Sequence, residues 1–131
     1  MPSIFTKILN GEMPGNVILQ DEHCFALLDI HPVSPGHTLV IPKKEVDRLF
    51  DLDEETYAAV FACAKKLAPT LQKVTGADRI GVIVEGFAVP HAHVHLVPID
   101  RGDELSLSQG KEASAVALAA MAEKIMNALN R

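Results

Sequence analysis

The 131-residue chain has no tryptophan, one tyrosine and only two cysteines. Cys24 and Cys63 stand alone in separate segments, without C-x-x-C spacing or the density of a disulfide scaffold, so both read as buried free thiols. Long apolar runs are missing as well. No stretch approaches the ~20 residues of a membrane span, and Met1-Pro2-Ser3 opens into an amphipathic segment rather than a basic and then apolar leader. A cytoplasmic location without a membrane partner is expected. Positive charge is in deficit, with 12 Lys and Arg against 17 Asp and Glu and a formal net charge of -5. A field of that sign does not attract a phosphate backbone, which argues against a nucleic-acid polymer as partner.

What is present describes an ordinary globular domain: 48% of residues are hydrophobic and 22% charged, a balance far from disordered compositions. A chain of this length buries roughly two-thirds of its unfolded surface as one unit, and it shows no repeat, linker or low-complexity segment.

Ile4 to Leu9, followed by Asn10-Gly11, predicts one or two helical turns with a glycine-containing stop. Val17–Gln20 and His23–Ile30 form a hairpin-like pair around Asp21-Glu22, the second run apolar on both faces as in a central strand. After the turn cluster Pro32-Val33-Ser34-Pro35-Gly36, His37 to Ile41 predicts a strand ending at Pro42, which puts His37 where a loop enters a strand. Asp53 is an N-cap with Glu54 and Glu55 in the first turn, and apolar residues from Tyr57 to Val74 recur at helical spacing up to Gly76. Pro69 is expected to kink this helix. Arg79–Glu85 and His93–Ile99 predict an antiparallel pair, and Ala115–Leu129 a last helix with Leu118, Met121, Ala122, Ile125 and Leu129 on one stripe.

Three of the six histidines fall in His91-Ala92-His93-Val94-His95-Leu96-Val97. In a strand, side chains alternate, so the three imidazoles share one face while Ala92, Val94 and Leu96 face a core. A solvated polar face is one reading. A metal site is another, although at ~3.3 Å per residue the outer two histidines start ~13 Å apart, which makes convergence of all three on one ion awkward. Two of them with His37 or His31 could still chelate. The row also suits an extended phosphate-bearing ligand, because an unprotonated imidazole can attack phosphorus while a neighbour binds an oxyanion or protonates a leaving group.

The run His91 to Val97 resembles the signature of the histidine triad family, His-φ-His-φ-His-φ-φ. The stretch SIFTKILNGEMPGNVILQDEHCFALLDIHPVSPGHTLVIPKK is similar to that family's amino-terminal half, with its Asp-Ile-x-Pro step, Pro-Gly-His turn and Leu-Val-Ile-Pro strand in order. The resemblance spans about residues 3–98 and implies an α+β fold, a five-stranded antiparallel sheet with helices, plus a C-terminal helical extension over about 111–130, in a protein that is usually a homodimer. It implies cleavage of a purine nucleoside phosphoramidate or dinucleoside polyphosphate at the α-phosphorus through a nucleotidyl-histidine. His93 would be the nucleophile, His91 and His95 would flank the phosphate, and His37 would join the cluster. Asp29 would accept ribose hydroxyls, and Phe5, Met13 and Ile30 would wall the base. His31 has no assigned role.

Two departures from the family pattern bear on chemistry. Some bacterial relatives hold zinc with two amino-terminal cysteines, a histidine after Pro-Lys-Lys and a triad histidine; here the first three positions are Ser3, Thr6 and Glu45, so neither a metal nor another cofactor is expected. Many relatives also place a Ser or Thr, and an Asn, near the phosphate where this chain has Ala88 and Val84, and Pro90 lacks a backbone N–H. The alternative classes are a nucleotide-binding regulatory protein with little turnover and a metal-dependent hydrolase.

Overall fold

The computed structural model describes residues 2–130. Five strands form one sheet, β1 (Val17–Gln20), β2 (Cys24–Leu28), β3 (Thr38–Pro42), β4 (Arg79–Ile83) and β5 (Val94–Ile99), in the order β1-β2-β3-β5-β4. All neighbours are antiparallel. Three α-helices complete the α+β fold: α1 (Ile4–Leu9), α2 (Glu54–Thr75) and α3 (Ala115–Leu129).

Local chemistry sets the helix limits. The Ser3, Asp53 and Ser114 side chains accept the N–H of Thr6, Thr56 and Ala117, so each helix starts on a capped donor. Gly76, at φ 73°, ends α2 in the left-handed conformation that a residue without Cβ adopts at no steric cost. α2 runs on through Pro69 to Thr75 without a break.

The sheet separates two cores by strand alternation. Cys24, Ala26, Leu28, Val40, Val94 and Leu96 face α2 and α3 and pack with Val60, Leu67, Leu71 and Ile125. Phe25, Leu27, Leu39 and Ile41 point the other way and pack against Phe5 of α1. β2, β3 and β5 are buried on both faces, the property of central strands that their unbroken apolar runs suggest. The helix at the carboxyl end belongs to this core rather than extending from it, because Ala122 and Ile125 are buried in the same cluster as α2.

Strand limits differ from the expected ones where polar side chains take over. β5 begins at Val94, so His91 and His93 lie in the approach to the strand rather than in it. Ala92, Val94 and Leu96 nevertheless enter the core as the alternation requires. β4 ends at Ile83, which leaves Val84 and Glu85 outside the ladder.

Candidate active site

Because Leu39 pairs with His95 in the β3–β5 ladder, the approach to β3 runs beside the triad. His37 shares the parity of Leu39, and His93 that of His95, so all three imidazoles emerge on the α1 side of the sheet. Gly36 permits the turn that delivers His37: its φ is +92°, and a Cβ there would lie 2.7 Å from the Thr75 side chain. The rings form a row. His37 and His95 have centroids 5.2 Å apart, His95 and His93 5.0 Å, and Phe5 meets His93 edge-on at 5.0 Å.

Hydrogen bonds assign each uncharged ring its tautomer. His93 Nδ1–H donates to the His91 carbonyl at 2.7 Å, which leaves the Nε2 lone pair free. The Val33 N–H donates to His37 Nδ1 at 3.0 Å, so the His37 proton sits on Nε2 and is given to His95 Nδ1, 3.0 Å away. His95 therefore carries its proton on Nε2. A lone pair on His93 and an N–H on His95 stand side by side.

Burial keeps these rings uncharged near neutral pH. Desolvation pushes His37 and His93 below the ordinary imidazole value, with the Asp29 charge opposing it in both. His95 falls to about 4 through desolvation and then the neighbouring His93 and His37.

A cleft of about 350 Å³ opens over the row and is lined by His37, His93, His95 and Asp29. Of the sequence-derived wall residues, Phe5 and Ile30 line it, as does His31. Two expectations are corrected here. Met13 lies outside the lining and is 41% exposed, because Gly11 and the turn that follows carry it past the end of α1. His91 does not flank the cleft either. It is fully buried, with Nδ1 2.6 Å from the Ser3 hydroxyl and Nε2 2.7 Å from the Pro42 carbonyl, because the chain has not yet entered β5 and turns the ring under α1.

The sequence did not single out Ile4, Ile8, Leu27, Leu39, Val89 and Leu107 as lining. All but Val89 and Leu107 belong to runs whose periodicity predicts core, and a cleft wall made of core-type residues carries no separate signal. Asp29 Oδ1 accepts the His31 N–H at 2.8 Å, and Oδ2 lies 3.5 Å from His37 Nε2. Ala88 lines the cleft as well.

Asp29, His37 and His95 bring one ligand-type atom each to within 4.8 Å of the others, a spacing open to a cation. The tautomers oppose it. His37 Nδ1 already accepts the Val33 N–H, so binding a metal through Nε2 would require that ring to lose both protons. Ser3, Thr6 and Glu45 are hydrogen-bonded to one another, and hydroxyls are not the thiolate and imidazole donors of structural zinc.

The sequence profile of the HIT domain matches residues 10–102. A HIT-like protein of Methanocaldococcus jannaschii is 39% identical over 105 residues, covering 76% of this chain and 81% of its own. The adenylylsulfatase HINT3 of Arabidopsis thaliana is 28% identical, covering 98% of this chain and 68% of its own. Among solved structures, a Hit-like protein of Bartonella henselae superposes with a TM-score of 0.84 at 34% identity, over 96% of this chain and 95% of that one. A zinc-bound histidine triad protein of Mycobacterium smegmatis superposes at 0.83 with 30% identity, over 97% of this chain and 92% of that one.

Proposed function

Since the chain belongs to the HIT family, we propose that it is a nucleotidyl hydrolase or transferase that opens a purine nucleoside phosphoramidate or dinucleoside polyphosphate at the α-phosphorus. The observation that carries this reading is the pair of complementary tautomers: a desolvated His93 Nε2 lone pair beside a His95 Nε2–H. In the first step His93 Nε2 forms a bond to phosphorus as the bond to the leaving nitrogen or oxygen breaks, while the His95 Nε2–H hydrogen-bonds the leaving atom, which takes its proton from solvent. Water then attacks phosphorus as its bond to His93 Nε2 breaks, which restores the neutral ring, and the proton lost by water passes to solvent. Phe5 and Ile30 wall the base, and Asp29 accepts ribose hydroxyls. Neither step calls on a metal.

The test is a covalent one. Wild-type protein incubated with adenosine phosphoramidate and quenched in base should carry a nucleotidyl adduct on His93, seen by mass spectrometry, and His93→Ala should carry none while still binding nucleotide. An adduct of normal yield in His93→Ala would overturn the assignment. Adenylyl sulfate belongs in the same panel, because a relative is named for that activity.

One observation favours a second reading, nucleotide binding with little turnover. Ala88 lines the cleft without a donor, and one missing transition-state donor costs ~100-fold in rate or more. Tight nucleotide binding with no adduct on any substrate of the panel would select it. We further infer that the working unit is a homodimer. β4 is a sheet edge, and Val82, Val84, Phe50 and Phe87 are exposed, an apolar surface that a second copy would cover.

A further inference from the structure

His91 lines no part of the cleft, yet two hydrogen-bonded paths meet on it. One Glu45 carboxylate oxygen, Oε1, accepts the Ser3 N–H at 2.6 Å and the Thr6 hydroxyl at 2.5 Å. The Ser3 hydroxyl oxygen accepts the Thr6 N–H at 3.2 Å and lies 2.6 Å from His91 Nδ1. His91 Nε2 faces the Pro42 carbonyl at 2.7 Å, and a carbonyl only accepts, so Nε2 carries the proton. In the uncharged ring Nδ1 then receives the Ser3 hydroxyl proton. The hydrogen bonds linking Glu45, Thr6, Ser3, His91 and Pro42 thus run in a consistent direction, with Glu45 Oε1 accepting twice.

The far end of this chain is the nucleophile. The His91 carbonyl accepts the His93 Nδ1–H, and that bond alone decides which His93 nitrogen keeps its lone pair. Any rotation of His91 about its own backbone moves the acceptor. The His91 ring is clamped at both nitrogens, from α1 on one side and the end of β3 on the other, so its carbonyl has one orientation. Thr6 and Ser3 also hold down the start of α1, whose Phe5 ring meets His93 edge-on and whose Ile4 and Ile8 line the cleft.

We propose that Glu45, acting through Ser3 and Thr6, is a positioning residue that locks His91 and thereby the tautomer and aim of His93. The proposal rests on the reading of His93 as nucleophile. Glu45 is itself on the surface, and the Thr6 hydroxyl followed by the Ser3 N–H holds its carboxyl below the usual range, so it is an acceptor at neutral pH. A helix cap needs only the Ser3 hydroxyl as acceptor; the contact of that hydroxyl to a buried imidazole has no part in capping.

The experiment pairs nitrogen NMR of labelled histidine with single-turnover rates of adduct formation on the full chain. Wild-type His93 should show the Nδ1–H tautomer only. Glu45→Ala and Ser3→Ala should show a mixture of tautomers and form the adduct about tenfold more slowly or worse, the scale expected for a displaced reacting group, with a smaller change in nucleotide affinity. Glu45→Gln, whose amide oxygen still accepts both donors, should restore the tautomer and most of the rate. An unchanged tautomer in both alanine variants, whatever the rate, overturns the proposal, as does a tautomer mixture with an unaltered rate. If Ser3→Ala fails to fold, Thr6→Val, which removes only one donor to Glu45, must show the same two changes in weaker form or the proposal falls. Were wild type to form no adduct at all, the nucleophile assignment would fail, while the tautomer spectra would still decide whether Glu45 orders His93.

Discussion

At the scale of single residues, the chemistry comes from taking imidazoles out of water. His95 titrates at about 4 in the folded chain against an ordinary 6.5, and His37 and His93 shift the same way. In the window between those two values the unfolded chain binds a proton at this position that the folded chain refuses. Folding stability therefore falls as pH drops from 6.5 to about 4, and the His95 contribution to that loss ends below the lower value. Urea midpoints measured across that range should fall on acidification and fall less in His95→Asn; equal slopes for the two proteins would show that these rings do not govern the acid limb. Asp29 supplies a second residue-scale outcome. Asp29→Ala should weaken ribonucleotides by about 1.5–3 kcal/mol, the worth of a charged hydrogen bond, and 2′,3′-dideoxynucleotides much less. Titration calorimetry with both ligands checks this, and equal losses would leave Asp29 with only its His31 and His37 contacts.

Between single residues and the whole, short elements shape the cleft. The segment after β5 crosses back over the site: the Ala113 N–H donates to the Ile30 carbonyl at 3.0 Å and the Lys111 N–H to the Pro32 carbonyl at 3.3 Å. Gly110 permits the approach, since a Cβ there would stand 2.3 Å from the His31 carbonyl oxygen. This strap brings Leu107 into the cleft wall. Removing a half-buried leucine side chain from a ligand contact costs on the order of 1 kcal/mol. Leu107→Ala should accordingly raise the nucleotide KM about fivefold and leave kcat near wild type. A fall in kcat with constant KM would place the strap in catalysis instead of binding.

For the whole molecule, the edge strand is the exposed feature with a consequence. β4 is paired on one side only, and Phe87 is 92% exposed and Phe50 81%, values that large aromatic side chains hold when a partner surface covers them in an assembly. Light scattering should give twice the chain mass for wild type. Val82→Lys, which sets a charge on the half-exposed edge, should shift the protein to monomer at micromolar concentration without unfolding it. A monomeric wild type would remove the homodimer.

The sequence by itself determined the α+β class, the order of strands and helices, and the parity that sends Ala92, Val94 and Leu96 inward, because strand alternation and helix periodicity act over a few neighbouring residues. It also determined that His37 and Asp29 belong with the triad, through motif spacing shared with a family. Only the tertiary structure decided what each histidine does. Whether His91 joined the cleft depended on where β5 begins, and the ladder with β3 starts at Val94, which leaves His91 to be captured by Ser3 and Pro42 from elements 88 and 49 residues away in the chain. The tautomers of His37 and His95 follow from the Val33 N–H, a backbone donor with no side-chain signature. Met13 fell outside the cleft and Leu107, with no role from the sequence, entered its wall for the same reason: a pattern of apolar residues marks what is buried, while which surface borders a cleft is settled by contacts between elements distant in sequence.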